Sequence, residues 1–138
     1  MIKTVILALF LFSCYRSTEA NRLEPNIEIK RDYFNNGSLR YEFTYKLGKL
    51  DGISKTWDND GNLISIVTYK DGMLDGNWET FYVNGRLKNS VVYLNSKKNG
   101  IELWYHSNGE KQSEVLYENN KIISKMLRWD EQGNSINY

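Results

Sequence analysis

The stretch WDNDGNLISIVTYKDGMLDG (residues 57–76) places one run of β-branched and aromatic residues between two turn signals. Before the run, DNDG (58–61) has Gly at its fourth position, which fits a type I turn that ends in a left-handed residue. After the run, Asp71-Gly72 is a residue pair that favours a two-residue hairpin turn. Short segments of this kind between turns predict antiparallel β-strands.

The features of this stretch recur every 24 residues, in units that start at residues 33, 57, 81, 105 and 129. The recurring positions are the glycines Gly37, Gly61, Gly85, Gly109 and Gly133, the tyrosines Tyr45, Tyr69, Tyr93 and Tyr117, and the aromatics Tyr33, Trp57, Phe81, Tyr105 and Trp129. A unit of this size needs its neighbours to bury a core. The sequence therefore predicts an all-β fold, an elongated antiparallel β-meander of about ten strands in an open, single-layer, twisted sheet of β-hairpin repeats.

The pattern aromatic-x-x-[Asn/Asp]-Gly-x-Leu, followed by Tyr-x-x-Gly-x-Leu-x-Gly, resembles the bacterial variant of the MORN repeat over residues 33–138. The resemblance implies a binding or scaffolding role without a catalytic site. Some relatives are described as antitoxins or immunity proteins, which implies a cognate toxin as the partner. Ser96, Asn120 and Ser124 stand where the pattern has Gly, so we expect a different turn and bulge in the last full unit.

The N-terminal segment MIKTVILALFLFSC has Lys3, an apolar run over residues 5–12, and then Ser13-Cys14. A charged start before a short apolar run is typical of a signal peptide, and the run is too short to span a bilayer as a mature helix. Cys14 is the only cysteine, and its position resembles a lipoprotein box that leaves it as a lipidated first residue. Such an anchor carries two or more acyl chains, which bind a membrane stably.

These observations predict a signal peptide (1–13), a tether (14–32) and a repeat domain (33–138). Ordinary cleavage after Ala20 is the alternative, which would give a soluble secreted or periplasmic protein. In both cases the protein is predicted to be exported, and lipidation would place it in the cell envelope.

Composition argues against several function classes. The 18 Lys and Arg balance 17 Asp and Glu, so nothing favours nucleic acid as a partner. His106 is the only histidine, so no His/Cys cluster could hold a transition metal, and no cofactor motif is present. Asp58 and Asp60 lie in a turn, where Asp is favoured for backbone reasons. We predict a non-enzymatic protein without a cofactor; a surface glycan hydrolase is a third hypothesis that no motif supports.

Side-chain alternation suggests a candidate binding surface. If the bulge near Gly76 restores the alternation, the recurring apolar residues share one face. Trp78, Tyr82, Trp104 and His106 then lie on the opposite face, where aromatics could stack on a glycan or contact a protein. The alternative is that these side chains only shield the second side of the sheet. The sequence thus predicts an anchored binding or scaffold module for an unidentified protein or glycan, with an immunity protein that neutralises a toxin as the alternative.

Overall fold

The computed structural model describes residues 26–136, which form one open antiparallel sheet of 11 strands. The strands are β1 (Ile27–Tyr33), β2 (Leu39–Lys46), β3 (Lys49–Leu50), β4 (Gly52–Trp57), β5 (Leu63–Lys70), β6 (Met73–Phe81), β7 (Leu87–Leu94), β8 (Lys97–Tyr105), β9 (Lys111–Glu118), β10 (Lys121–Ile122) and β11 (Leu127–Arg128). They follow one another across the sheet, with β3 beside β2 and β11 beside β9. The predicted all-β meander is confirmed, and residues 26–136 contain no helix able to cross a membrane.

The hairpin turn inside each unit keeps its geometry even where Gly is replaced. Asp71 and Gly72 have φ angles of 50° and 88°, as a type I′ turn requires. Ser96 and Asn120 replace Gly72 in later units and adopt φ angles of 62° and 68°. The N–H of Asn120 still donates to the carbonyl of Lys98 at 2.9 Å. The expected change of turn is therefore wrong, because Asn120 tolerates the left-handed conformation that the two-residue turn requires.

A bulge follows this turn in the second strands β6 and β8. The register passes from Val67–Trp78 to Tyr69–Leu74, so three residues of β6 oppose one residue of β5. Gly76 lies in this bulge with a φ of 120°, and a Cβ there would lie 3.0 Å from the Cβ of the opposing threonine. Both the backbone angle and the close approach of β5 therefore require glycine at this position.

Ser124 occupies the position of Gly76 in the last unit, and here the expected departure is confirmed. Ser124 does not have a positive φ, and the strand breaks after Ile122, so β10 and β11 are short. The hydroxyl of Ser124 instead accepts a hydrogen bond from the N–H of Leu116 at 2.9 Å.

The sheet begins earlier than the repeat domain that the sequence predicts. β1 pairs with β2 from Ile27–Lys46 onward, so residues 27–32 belong to the sheet and not to a tether. The reason is that β1 is the second strand of a preceding unit, 24 residues before β4. The predicted signal peptide, its cleavage sites and the lipidation site Cys14 lie outside the described residues.

Candidate binding groove

One face of the sheet carries both the recurring residues and the residues that differ between units. Cross-strand partners share a face in an antiparallel sheet. The register therefore defines one row of side chains on this face, Ser54, Val67, Trp78, Val91, Glu102 and Val115. The three valines of the row are the buried apolar core of the described residues. The recurring tyrosines, which pair with the bulge glycines or with residues beside the turn, lie on the same face, which we call the aromatic face.

The structure corrects the predicted face of two candidate residues. Trp78 lies between Val67 and Val91 in the row, and Trp104 pairs with Asn89, so both tryptophans project from the aromatic face. The prediction assumed that the bulge changes the alternation by one residue. The bulge places three residues opposite one, which adds two residues and leaves the alternation unchanged.

A groove of about 420 Å³ lies on the aromatic face between β6 and β8, and Trp78, Tyr93 and Trp104 are among its lining residues. The indole of Trp78 lies 5.8 Å from the ring of Tyr93, tilted by 36°, and Trp78 remains 36% exposed. Asn89 contributes a buried amide, whose Nδ2 donates to the carbonyl of Leu103 at 2.9 Å. The groove thus combines partly exposed aromatic rings with polar groups in fixed positions.

An ion pair lines the same groove. The ammonium of Lys98 donates to both carboxylate oxygens of Glu102, at 2.8 and 2.9 Å, and lies 4.7 Å from the centre of the Tyr117 ring. The side chain of Glu102 is only 8% exposed, and that of Lys98 is 27% exposed. Burial lowers the pKa of Lys98, but the hydrogen bond and charge of Glu102 outweigh it, so the net pKa is raised. The groove therefore contains two opposite charges that neutralise one another.

Tyr82 and His106 have a different role from the two tryptophans. Tyr82 donates its hydroxyl to the carbonyl of Tyr105 at 2.7 Å, and His106 Nε2 lies 2.9 Å from the carbonyl of Trp129. A carbonyl only accepts, so His106 carries its proton on Nε2. The two residues occupy the same position in successive units, and each holds the next unit by its recurring aromatic residue. This role follows from contacts 23 residues apart, which the residue types alone did not indicate.

His106 also lines a second cavity, of about 610 Å³, at the C-terminal end of the sheet. Trp104 lines both this cavity and the groove, whereas Tyr82 lines neither of them. The four predicted surface residues therefore do not form one cluster.

Sequence reasoning missed Glu102, Lys98 and Asn89 as groove residues. A signal for Glu102 was present, because positions 54, 78 and 102 are Ser, Trp and Glu in otherwise regular units. A position whose residue type varies between units while its neighbours recur is not required by the fold and is therefore a candidate for binding. This signal can be used only when the position is assigned to the correct face of the sheet.

The carboxylate of Asp58 binds backbone N–H groups of its own turn. Asp58 Oδ1 accepts hydrogen bonds from the N–H groups of Asp60 and Asn62, at 3.0 and 2.9 Å. These bonds, with the Asn62 side-chain amide as the largest contribution, hold the pKa of Asp58 below its ordinary value. Such a carboxylate stays ionised and is a poor proton donor near neutral pH. No group of three or more His, Cys, Asp or Glu side chains that could hold a metal ion occurs within residues 26–136.

Comparison with known families finds a match to the MORN repeat variant at residues 29–47, 50–71 and 98–119. The MORN repeat is a non-enzymatic repeat module. No curated protein matches the chain significantly. The first match begins inside β1, in agreement with the earlier start of the sheet. Over these three segments the chain is similar to MORN repeat variants, and the hairpin meander of the sheet is consistent with that similarity.

Proposed function

We propose that this protein is a non-catalytic binding module whose ligand lies in the groove between Trp78 and Trp104. The observation that carries the proposal is the pairing of a large, partly exposed aromatic side chain with polar groups whose positions are fixed by the sheet. A fold that needed only to shield this face could use small or aliphatic residues there, as Ser54 and Val67 show in the same row. Similarity to a repeat module without catalytic activity supports the same conclusion.

A glycan fits the chemistry of this groove. The apolar face of a sugar ring stacks on an aromatic side chain, and its hydroxyls require hydrogen-bond donors and acceptors. Trp78 and Tyr93 offer the rings, while Asn89 and the neutralised pair of Lys98 and Glu102 offer the polar atoms. Because Lys98 and Glu102 neutralise one another, Lys88 is the remaining charged side chain in the lining of the groove, which suits a neutral or acidic glycan.

The extended sheet favours a second candidate, an immunity protein that neutralises a toxin by surface complementarity. The row of positions 54, 78 and 102 changes chemistry from unit to unit without disturbing the recurring core, so the face can differ between related proteins. In this case the groove tryptophans would be the aromatic anchors of a protein interface.

One binding experiment separates these candidates. The full chain is immobilised and exposed to envelope glycans and, separately, to solubilised native membranes. Trp78→Ala and Trp104→Ala are compared with Ile101→Ala, which removes a 46% exposed apolar side chain whose neighbour in β8 is Glu102. We expect each tryptophan variant to lose at least about tenfold in affinity, because aromatic anchors contribute about 2 kcal/mol or more. Equal retention by all three variants would exclude the groove, and polysaccharide cleavage would exclude the non-enzymatic function.

We also propose that the protein is exported and anchored through a lipid on Cys14. The apolar run before Ser13-Cys14 and the lack of another cysteine support this proposal. Metabolic labelling with a fatty acid should mark the wild-type chain and not Cys14→Ser. Equal labelling of both would exclude lipidation and favour cleavage after Ala20 and a soluble exported protein.

A further inference from the structure

Within residues 26–136, β1 is an edge strand of the sheet, with a neighbouring strand on one side. The N–H of Leu47 donates to the carbonyl of Asn26 at 3.1 Å, so the backbone groups of even-numbered residues in this strand point toward β2. Those of Ile27, Ile29 and Arg31 therefore point away from the sheet. A second chain could bind them by β-strand addition.

This edge lacks the bulge glycine that β4, β6 and β8 share. Glu28 occupies the position of the bulge glycines Gly52, Gly76 and Gly100, 24 residues before the first of them. Glu28 lacks the positive φ angle of these glycines, and β1 is a continuous strand at this position. A bulge would bend the strand and blunt the edge, whereas the regular β1 is a straight template for pairing.

β1 also carries exposed apolar side chains. Ile27 and Ile29 are 60% and 49% exposed, although both lie within the sheet. The opposite end of the sheet has no comparable edge in the described residues, because β10 and β11 are two residues each and a bridge between Trp129 and Ser135 covers the last strand. A head-to-tail contact would need a second straight edge, so a symmetric contact of β1 with itself is favoured.

We propose that β1 pairs in an antiparallel fashion with β1 of a second copy of this chain, about a two-fold axis at Ile29. Ile29 then faces Ile29 of the second copy, and Ile27 faces Arg31, which gives about six backbone hydrogen bonds. Between these pairs, Glu28 of each chain lies directly opposite Lys30 of the other, at the close non-hydrogen-bonded spacing.

The charges of β1 select this register. Moving the axis to Lys30 would place Lys30 opposite Lys30 and Glu28 opposite Asp32, so that like charges meet at each non-hydrogen-bonded pair. Moving it to Glu28 would place the two Glu28 carboxylates opposite one another. Both alternatives are destabilised, because like charges directly opposite in a sheet repel. The axis at Ile29 is the arrangement in which Glu28 and Lys30 both meet opposite charges.

The dimer has a consequence for the groove. A two-fold axis perpendicular to the sheet keeps the aromatic faces of both copies on the same side of one continuous sheet. Two grooves then face the same surface, and a ligand with repeated epitopes could bind both of them, with a gain in avidity.

Cysteine cross-linking in membranes of cells that make the full chain tests the register. Ile29→Cys should give a disulfide dimer, because residues facing one another in a hydrogen-bonded pair have a Cα separation of about 5.5 Å, within disulfide range. Lys30→Cys should give none, because Lys30 lies diagonal to Lys30 of the second copy at about 7–8 Å. The wild-type chain, with Cys14 alone, measures the background. Cross-linking of Lys30→Cys without Ile29→Cys, or of neither, or to a different protein, would overturn the proposal.

Charge reversal tests the ion pairs by sedimentation of the full chain in detergent. Glu28→Lys and Lys30→Glu should each weaken the dimer about tenfold, since each single change replaces two attractive pairs by two repulsive ones. The double variant Glu28→Lys/Lys30→Glu restores opposite charges and should recover the wild-type dissociation constant. Thermal melting of each variant monitors folding. A dimer that is indifferent to the single changes, or a double variant no better than either of them, would place the contact elsewhere.

Discussion

Removal of the Lys98 ammonium, in the variant Lys98→Met, isolates the carboxylate of Glu102 in the groove. The side chain of Glu102 is only 8% exposed, and its carboxylate loses two hydrogen bonds, at 2.8 and 2.9 Å. Breaking a fully buried ion pair costs about 3–5 kcal/mol. Water screens part of this cost because the Lys98 side chain is 27% exposed. We therefore expect the free energy of unfolding of Lys98→Met to fall by about 2–3 kcal/mol.

The double variant Lys98→Met/Glu102→Leu shows whether the cost comes from the isolated charge. Glu102 lies between Val91 and Val115 in the row, so a leucine there gains apolar neighbours. Replacing a buried ion pair by apolar residues is often neutral, and we expect the double variant to lie within about 1 kcal/mol of the wild type.

Urea denaturation of the full chain gives the free energy of unfolding of each variant. The values can be compared when the slope of this free energy against urea concentration is the same for all variants. Lys111→Met is the matched control, since Lys111 pairs with Glu114 at the same 2.8 Å but with side chains 39% and 31% exposed. An exposed pair contributes about 0–1 kcal/mol. If Lys98→Met cost no more than Lys111→Met, or if the double variant were as unstable as Lys98→Met, the isolated carboxylate of Glu102 would not be the source of the lost stability.

Three further outcomes follow from the described contacts. Gly76→Ala should lower the free energy of unfolding by about 2–4 kcal/mol through φ strain and the close approach to β5, whereas Gly61→Ala, with nothing within 4 Å of the added carbon, should cost about 1 kcal/mol in the same urea assay. Burial raises the pKa of Tyr69 and of Tyr117, so the stability that these neutral phenols contribute is complete below pH about 10 and is lost as the pH rises through their folded-state pKa values. A melting temperature that did not fall above pH 10 would contradict this. His106→Phe should cost about 1 kcal/mol in thermal melts by removing the hydrogen bond to the next unit, and an unchanged melting temperature would show that this bond contributes nothing.

The groove illustrates which parts of a site can be inferred from sequence. Trp78 and Trp104 stand out by residue type, and both line the groove. Lys98 and Glu102 do not stand out, because residues four apart in a regular strand are about 13 Å apart. The bulge at Gly100 lies between them and shortens that path, so the ammonium meets the carboxylate at 2.8 Å. Their pairing is a consequence of backbone geometry that residue types do not encode directly.

Local turn chemistry was sufficient to derive the strand order of this protein. Gly61 and the Asp71-Gly72 pair define the ends of each strand, and their 24-residue period defines the meander, because both turns depend on residues adjacent in the chain. The face on which Trp78 lies was decided by tertiary structure alone. It depends on how many residues the bulge at Gly76 absorbs, and the close contact with the neighbouring strand β5 sets that number. Because side chains alternate with a period of two, a bulge that adds one residue moves every later side chain of the strand to the opposite face, whereas a bulge that adds two residues leaves it on the same face.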